Sequence, residues 1–343
     1  MYFTSAAATL LLGASFATAA PCSKQRTFYN GTCTAETVTI RKEWRNLAES
    51  EQASYLEAVN CLMELPANTS LSGVTNRFSD LQATHRDKTN ATVNGVFVGD
   101  IIHSVLDISG PIPSMAPLVH LRSRGDAARP MHYTGPLPWW DEAKDADTGN
   151  AFSSPMWSAD AFGGNGTGSD LCVVDGAFAN HTEHIGPGLA NTDYCLDRSW
   201  DNEWAVESAN STSVKNCTRH NDYETFWQCM VAEKSTHKGI HTAVGGLMGD
   251  KDTSPGDPIF FLHHNYVDRI WWQWQTANPD SRMYDMSGTT FNTTYLTVEG
   301  IDAPDVATAS LDYVINIADI LPDVIIGDVM NVQNGLLCYD YDY

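Results

Sequence analysis

Two histidines near the middle of the chain, His237 and His241, have the spacing of a pair of metal ligands. They lie four residues apart on an apolar-periodic segment, so a helix would place them on one face, roughly 6 Å apart along its axis. A second predicted helix carries His264 and begins with Asp257 as N-cap and Pro258 at the first helical position. Three neutral imidazoles from two helices can converge on one ion, so the spacing predicts a single-metal site.

The pair alone is weak evidence, because H-x3-H arises often by chance and a histidine can simply belong to the core. A zinc protease is excluded on chemistry, since its H-E-x-x-H motif needs a glutamate as general base where this chain has Lys238. The run that follows, from Gly256 to His264, makes a metal site the stronger interpretation.

The elements that must position these histidines are mostly helical in pattern. Apolar residues recur at helical spacing in four segments, 41–65, 78–86, 221–245 and 257–276. The second segment carries His85, and the apolar stretch 95–106 carries His103. Residues 148–215 are expected to form long glycosylated loops, and the remainder after 276 is strand-like and loop-like. No repeat or long linker divides the chain, which predicts a small helical bundle wrapped in irregular structure, with metal ligands facing the bundle interior.

The segment 257–275, DPIFFLHHNYVDRIWWQWQ, together with H-x3-H and Gly-Gly-Leu-Met-Gly at 245–249, resembles a known copper-binding half-site. It is similar to the second copper site of the type-3 copper family, which comprises tyrosinases, catechol oxidases or polyphenol oxidases, and hemocyanin units. The resemblance implies a mainly α fold whose four-helix core holds a binuclear copper site, with long loops and a few short strands. It implies that His237, His241 and His264 act through copper, with His263 as a neighbour of the ligands and Asp268 and Arg269 bracing the site.

A type-3 site needs a second copper ion, because two ions together supply two electrons to O2. The segments ending at His85 and His103 resemble those that carry the family's first two upstream ligands. The expected Phe-Leu-Pro-Trp-His-Arg motif is missing after His103, and only His120 could stand in, since His132 comes too late. Two copper ions are therefore expected, or one if the first site is impaired.

Residues 104–131 do not follow the family's sequence pattern, and two explanations are open. Either the protein has diverged and its first copper site is impaired, or these residues come from a wrong reading frame or splice junction. The second is favoured, because the family pattern resumes at once after the break with YTGPLPWWD. Sequencing the transcript across this stretch separates the two.

Smaller departures bear on the reaction that the resemblance implies. Ile101 stands where fungal tyrosinases often carry a cysteine cross-linked to the second upstream histidine, so no thioether bridge is expected. Thr242 replaces an asparagine linked to monophenol hydroxylation, and Gln228 or Cys229 stands near the place of a water-orienting glutamate. These changes favour oxidation of o-diphenols to o-quinones with O2 as acceptor. Monophenol hydroxylation, and copper or O2 binding without turnover, are the alternatives.

Aromatic side chains near the site and at the chain end complete the resemblance. Phe260, Phe261 and Tyr266 could stack on a phenolic ring, although core packing explains them equally well. The terminal YDYDY resembles the segment that closes the family's catalytic domain, and Arg41 resembles the arginine that ties the chain ends together through such tyrosines. The alternative for Arg41 is a solvated charge on a helix. This arrangement is that of a short fungal-type form.

Composition and export signals indicate the expected partners and the expected location of the protein. The formal charge of −22 over 343 residues makes binding to nucleic acid or anionic membranes unfavourable, so a small phenol and O2 are the expected partners. Residues 1–19 are expected to be a signal peptide, leaving 20–343 as one copper-binding domain. Eight cysteines are compatible with disulfides, whose pairing stays open. Eight glycosylation sequons support secretion; they begin at Asn30, Asn68, Asn90, Asn165, Asn180, Asn210, Asn216 and Asn292.

Overall fold

The described part of the protein carries the downstream histidines and one of the upstream ones. A computed structural model describes residues 32–89, 91–93, 96–99, 133, 135–287, 310–316, 318, 320, 322–334 and 336–343. The predicted signal peptide 1–19, the off-pattern segment 104–131, His103 and His120 lie outside the described residues.

Helices dominate the described residues, as the sequence predicts. They are α1 (Glu49–Glu64), α2 (Arg77–Thr89), α3 (Glu142–Asp147), α4 (Asn202–Ala209), α5 (Ser211–Thr218), α6 (Tyr223–Met230), α7 (Thr236–Val244), α8 (Ile259–Ala277), α9 (Pro279–Arg282) and α10 (Ile326–Val329). The strands are short: β1 (Thr39–Glu43), β2 (Ala91–Val93), β3 (Val96–Gly99), β4 (Pro138–Trp139), β5 (Thr182–Glu183), β6 (Tyr194–Cys195), β7 (Val314–Ile315), β8 (Val324–Ile325) and β9 (Tyr339–Tyr341). Single 3₁₀ turns occur at 44–46, 155–157, 246–249 and 254–256. The prediction of a mainly α fold is confirmed.

The central element is α8, which is buried on all its faces. A helix that is apolar around most of its circumference has to lie inside a protein, and this one carries two phenylalanines near its start and three tryptophans near its end. Its few polar residues are hydrogen-bonded within the core. The Gln275 amide, for example, donates to the carbonyls of Met283 (2.9 Å) and Met330 (3.1 Å). The histidines at 263 and 264 therefore lie on a helix that is buried in the core.

The two ends of the described chain meet beside α8. Strand β1 is the middle of a three-stranded sheet in the order β4-β1-β9, parallel to both neighbours, with Arg41 opposite Tyr341. A disulfide between Cys33 and Cys338 closes the same junction. Residues about 300 positions apart are thus held together covalently and by a sheet.

Two predicted helices begin or divide differently in the structure. The expected helix 41–65 starts only at Glu49, because residues 39–43 form β1, so Arg41 lies on a strand rather than on a helix. The expected helix 221–245 is two helices, α6 and α7, separated by residues 231–235. At the break, the Ser235 hydroxyl donates to the Met230 carbonyl, which satisfies an acceptor that a continuous helix would have used.

The prediction that 148–215 is entirely loop is wrong at its end. Helices α4 and α5 form there, capped by side chains that accept hydrogen bonds from backbone N–H groups, Asp201 for α4 and Asn210 for α5. The Asn210 amide also donates to the carbonyls of Val206 (2.8 Å) and Glu207 (3.1 Å). A glycan at this sequon would replace one of the two amide hydrogens, so the two bonds could not both be kept.

Three disulfides join cysteines of the described residues. Besides Cys33–Cys338, they are Cys172–Cys195 and Cys217–Cys229. The last pair ties α5 to α6, so it holds the chain immediately before the His237 helix. A disulfide restricts the unfolded chain, and the effect grows with the length of the loop that it closes.

Candidate metal centre

Four histidines from two helices converge in the core. They are His237 and His241 on α7 and His263 and His264 on α8, and each offers a ring nitrogen within 4.8 Å of the others. His241 alone among them is partly exposed. The structure therefore brings together the three histidines predicted from spacing, and it adds His263, which was predicted only as a neighbour.

Helix α7 presents its two histidines because of its spacing and because of a close helix contact. Residues four apart share a face, and the rings of His237 and His241 lie 5.1 Å apart, centroid to centroid. Between them, Gly239 lies against α4: a Cβ at this position would come within 2.4 Å of the Ser208 Cβ. Gly245 then ends α7 with a φ of 66°, a conformation that glycine adopts without strain.

Hydrogen bonds to backbone carbonyls orient two of the rings. The Nδ1 of His241 lies 2.8 Å from the Met248 carbonyl oxygen, and the Nδ1 of His85 lies 3.1 Å from that of Asp252. Because a carbonyl only accepts, Nδ1 carries the proton in each ring and Nε2 keeps the lone pair that a metal requires. The Nε2 atoms of His241 and His264 already approach to 3.1 Å.

A buried carboxyl group orients a third ring. The Nδ1 of His263 lies 2.5 Å from the Glu142 Oε1, and both side chains are fully buried. Glu142 is the first residue of α3, directly after Pro-Trp-Trp-Asp, and sequence reasoning did not single it out. Its position in an aromatic cluster was visible, but nothing in the sequence shows which acid of that cluster is buried.

His85 lies on α2 near the same cluster. Its ring meets Phe260 edge-on at 5.5 Å, and Phe260 stacks on His264 at 3.9 Å. Phe260 therefore contacts both the upstream histidine and the downstream set. The other two upstream histidines of the prediction, His103 and His120, lie outside the described residues.

Burial keeps the α8 imidazoles uncharged. Desolvation lowers the pKa of His264 well below its usual value, and the surrounding histidines lower it further. The pKa of His263 is lowered well below its usual value by the same causes. Burial, with Asp141 and Asp145 nearby, raises the pKa of Glu142 well above its usual range. Neutral imidazole is the form that ligates a metal, so the rings are in the required state.

The donor set suits copper. Neutral imidazoles bind copper, zinc, iron and nickel, whereas magnesium and calcium need oxygen donors. Within the described residues, the cluster of potential metal ligands consists of imidazoles alone. The residues present therefore fit a copper ion held by α7 and α8.

Asp268 and Arg269 act away from the imidazoles. The Asp268 carboxylate accepts hydrogen bonds from Arg41 (3.2 Å) and from the hydroxyls of Tyr339 (2.8 Å) and Tyr341. Arg269 lies over the rings of Trp139 (4.3 Å) and Tyr343 (5.0 Å). Both side chains fix α8 against the chain ends, and the contacts that hold the rings come instead from Met248, Asp252 and Glu142.

Comparisons with known proteins agree with this site. The family model described as the common central domain of tyrosinase matches residues 120–277, which include all four clustered histidines. The tyrosinase-like protein phomQ1 of Diaporthe leptostromiformis is 29% identical over 89% of this chain and 78% of its own. The N-acetyl-6-hydroxytryptophan oxidase ivoB of Emericella nidulans is 27% identical over 90% of this chain and 94% of its own.

A solved structure shows that the fold of this chain is also similar to that of a known protein. A polyphenol oxidase variant from Thermothelomyces thermophila superposes with a TM-score of 0.71 at 27% identity, covering 91% of this chain and 90% of that one. The helical fold and the histidine cluster are those expected of a type-3 copper protein. The family-model match, the fungal relatives and this fold together support a protein of the tyrosinase family.

Proposed function

We propose that this tyrosinase-family copper oxidase converts o-diphenols to o-quinones with O2 as acceptor. The observation that carries the proposal is the cluster itself, four imidazole nitrogens within 4.8 Å in a buried site. Bound copper would supply the redox chemistry, which no side chain here can provide. His237, His241 and His264 would hold one ion. His85, with His103 and His120, would hold the other.

The protein's own contribution is to hold ligands and exclude water. The carbonyls of Met248 and Asp252 keep His241 and His85 in the tautomer that leaves Nε2 free for a metal. Phe260 is fully buried against His264 and gives the site a rigid apolar wall. Such a preorganised, dry surrounding strengthens the electrostatic interactions of a bound phenol.

The residue after His241 favours diphenols over monophenols. Thr242 is exposed, and its hydroxyl donates to the Lys238 carbonyl on its own helix at 3.1 Å. Its hydroxyl hydrogen is therefore already engaged, and the side chain lacks the amide that an asparagine would place there to hold a water acting on a phenol proton. Without a water held there as a base, a substrate that already carries two hydroxyls should be oxidised more readily than a monophenol.

A monophenol is the second candidate substrate. It is favoured by the relative from Emericella nidulans, which is named as an oxidase of a hydroxytryptophan derivative and covers nearly the whole of this chain. Rates on a catechol and on the matching monophenol separate the two candidates. Oxidation of the catechol with little on the monophenol supports the proposal, and comparable rates would favour the alternative.

A ligand variant ties the activity to the cluster. His264→Ala removes a buried imidazole from α8 and should abolish catechol oxidation and lower the copper content. His184→Ala is the matched control, because His184 is a partly exposed histidine paired with Asp193 outside the cluster. Equal activity of the two variants would contradict the proposed ligand.

We also propose that the protein is secreted, N-glycosylated and processed after residue 19. Three disulfides within the described residues are compatible with an oxidising compartment. No helix among those residues is long and apolar enough to cross a membrane. N-terminal sequencing of protein from the culture medium, before and after glycosidase treatment, tests the proposal.

A further inference from the structure

Two backbone carbonyls of one short segment, residues 248–252, orient an imidazole in each half of the proposed copper centre. The Met248 carbonyl oxygen lies 2.8 Å from Nδ1 of His241, and the Asp252 carbonyl oxygen lies 3.1 Å from Nδ1 of His85. His241 belongs to the downstream histidines on α7, whereas His85 lies upstream on α2. The conformation of this one segment therefore bears on two rings that lie on different helices.

Asp250 stands between the two carbonyls and is bonded in both directions. Its backbone N–H donates to the Leu247 carbonyl at 3.1 Å, which closes the 3₁₀ turn that carries Met248. Its Oδ1 accepts hydrogen bonds from the backbone N–H groups of Asp252 (2.9 Å) and Thr253 (3.2 Å). The Thr253 N–H and the Asp252 carbonyl belong to one planar peptide unit and point in opposite directions. By holding that N–H, the Asp250 side chain directs the carbonyl away from itself and towards His85.

The segment is also held from outside, on both sides. The Oδ2 of Asp250 accepts a hydrogen bond from the Gly188 N–H at 2.6 Å, in the loop between β5 and β6. From α2, the Thr89 hydroxyl donates to the Asp252 carboxylate at 2.6 Å. Thr89 follows His85 by four residues, so the hydroxyl and the ring lie on one face of α2. The two oxygens of Asp250 thus join the segment's own turn to a neighbouring loop.

We propose that Asp250 is a positioning residue shared by the two halves of the copper centre. It acts on His241 through the turn that carries Met248, and on His85 through the Asp252 carbonyl. The inference rests on the proposed copper function. Groups that orient a ligating imidazole account for about 10–100-fold in metal affinity. Asp250 acts one step further out, so its removal should cost about 10-fold, and it should do so for both ions.

The experiment titrates the copper-loaded, full-length protein with a chelator of known affinity and counts the copper ions retained. Asp250→Ala should bind both ions about 10-fold more weakly than the wild type. Asp175→Ala is the matched control, because the Asp175 carboxylate also accepts a backbone N–H within a loop, that of Gly164 at 2.9 Å. Asp193→Asn is the control for charge, because Asp193 and Asp250 line the same acidic cavity. Both controls should bind copper as the wild type does.

A variant on α2 separates the two halves of the centre. Thr89→Val keeps the shape of a fully buried side chain but removes the hydroxyl that holds Asp252, so it should weaken only the ion bound by His85. The ion that remains is a single Cu²⁺, which gives an electron paramagnetic resonance signal that a coupled pair does not give. Thr84→Val is the control, because the Thr84 hydroxyl donates to the Asp80 carbonyl of its own helix at 2.8 Å. It should retain both ions.

Three results would overturn the inference. These are an Asp250→Ala variant that binds both ions as tightly as Asp175→Ala does, a loss confined to one ion in Asp250→Ala, or an equal loss in Asp193→Asn, which would assign the effect to charge. If Asp250→Ala does not fold, full retention of both ions by Thr89→Val overturns it instead. A wild-type protein that retains fewer than two ions contradicts the proposed function, whatever the variants do.

Discussion

Replacing Arg41 by methionine should destabilise the protein strongly, because it leaves a carboxylate alone in the core. Arg41 is 2% exposed and Asp268 is fully buried, and the guanidinium donates to Asp268 (3.2 Å), Asn265 (3.0 Å) and Tyr341 (3.0 Å). It also lies 3.4 Å from the centroid of the Tyr339 ring.

The size of the loss in unfolding free energy follows from these contacts. Removing one partner of a buried ion pair costs about 3–5 kcal/mol, because the remaining charge is neither solvated nor paired. The cation–π contact with Tyr339 contributes about 1–2 kcal/mol of that loss. Proton uptake by Asp268 limits the loss, since burial already raises the pKa of its carboxyl group and removal of Arg41 would raise it further. The folded variant would keep a proton that the unfolded chain releases, so the destabilisation should grow as the pH rises above the ordinary pKa of aspartate.

Chemical denaturation of the copper-free protein, followed by tryptophan fluorescence with its disulfides intact, measures the effect. Lys42→Met is the matched control from the same strand, because Lys42 pairs with Glu51 at the surface and should lose less than about 1 kcal/mol. Adding Asp268→Asn to Arg41→Met should recover part of the stability. An Arg41→Met variant no less stable than Lys42→Met would refute the reasoning.

Two further substitutions test other parts of the structure. Burial, with Asp257 and Asp197 nearby, raises the pKa of Glu183 to about 8. The folded state then retains a proton that the unfolded chain loses above its ordinary pKa, so stability should fall by up to about 1.4 kcal/mol per pH unit between roughly pH 5 and 8. Glu183→Gln should flatten this slope in urea titrations, and an unchanged slope would argue against a buried protonated acid. Gly239→Ala should cost about 1–3 kcal/mol and loosen copper binding, because its Cβ would meet Ser208. Wild-type melting and copper retention in this variant would show that the contact is not tight.

The spacing of apolar residues was enough to predict those helices whose formation depends on their own residues. The helical spacing of α2 and α8 was readable in the sequence, and so was the placement of His237, His241 and His264 on two neighbouring helices. The same spacing misled at 41–48, because β1 is a strand through its pairing with Pro138–Trp139 and with Tyr339–Tyr341, both far along the chain. A pairing over such a distance leaves no local signal.

Residues whose role depends on their burial in the folded chain could not be predicted from the sequence either. Glu142 stands among three other acids in WWDEAKDAD, and only the folded chain shows that it is fully buried against His263. The carbonyls that orient His85 and His241 belong to Asp252 and Met248, whose side chains give no indication of this role. The pairing of Cys33 with Cys338 likewise depends on the meeting of the chain ends.

The copper content of the purified, copper-loaded protein tests the central claim most directly. Metal analysis of the wild type should give close to two copper ions per chain, in a preparation that forms a quinone from a catechol only when O2 is present. One ion per chain with no quinone would contradict the oxidase, and a protein that retains no copper would contradict the metal centre as well.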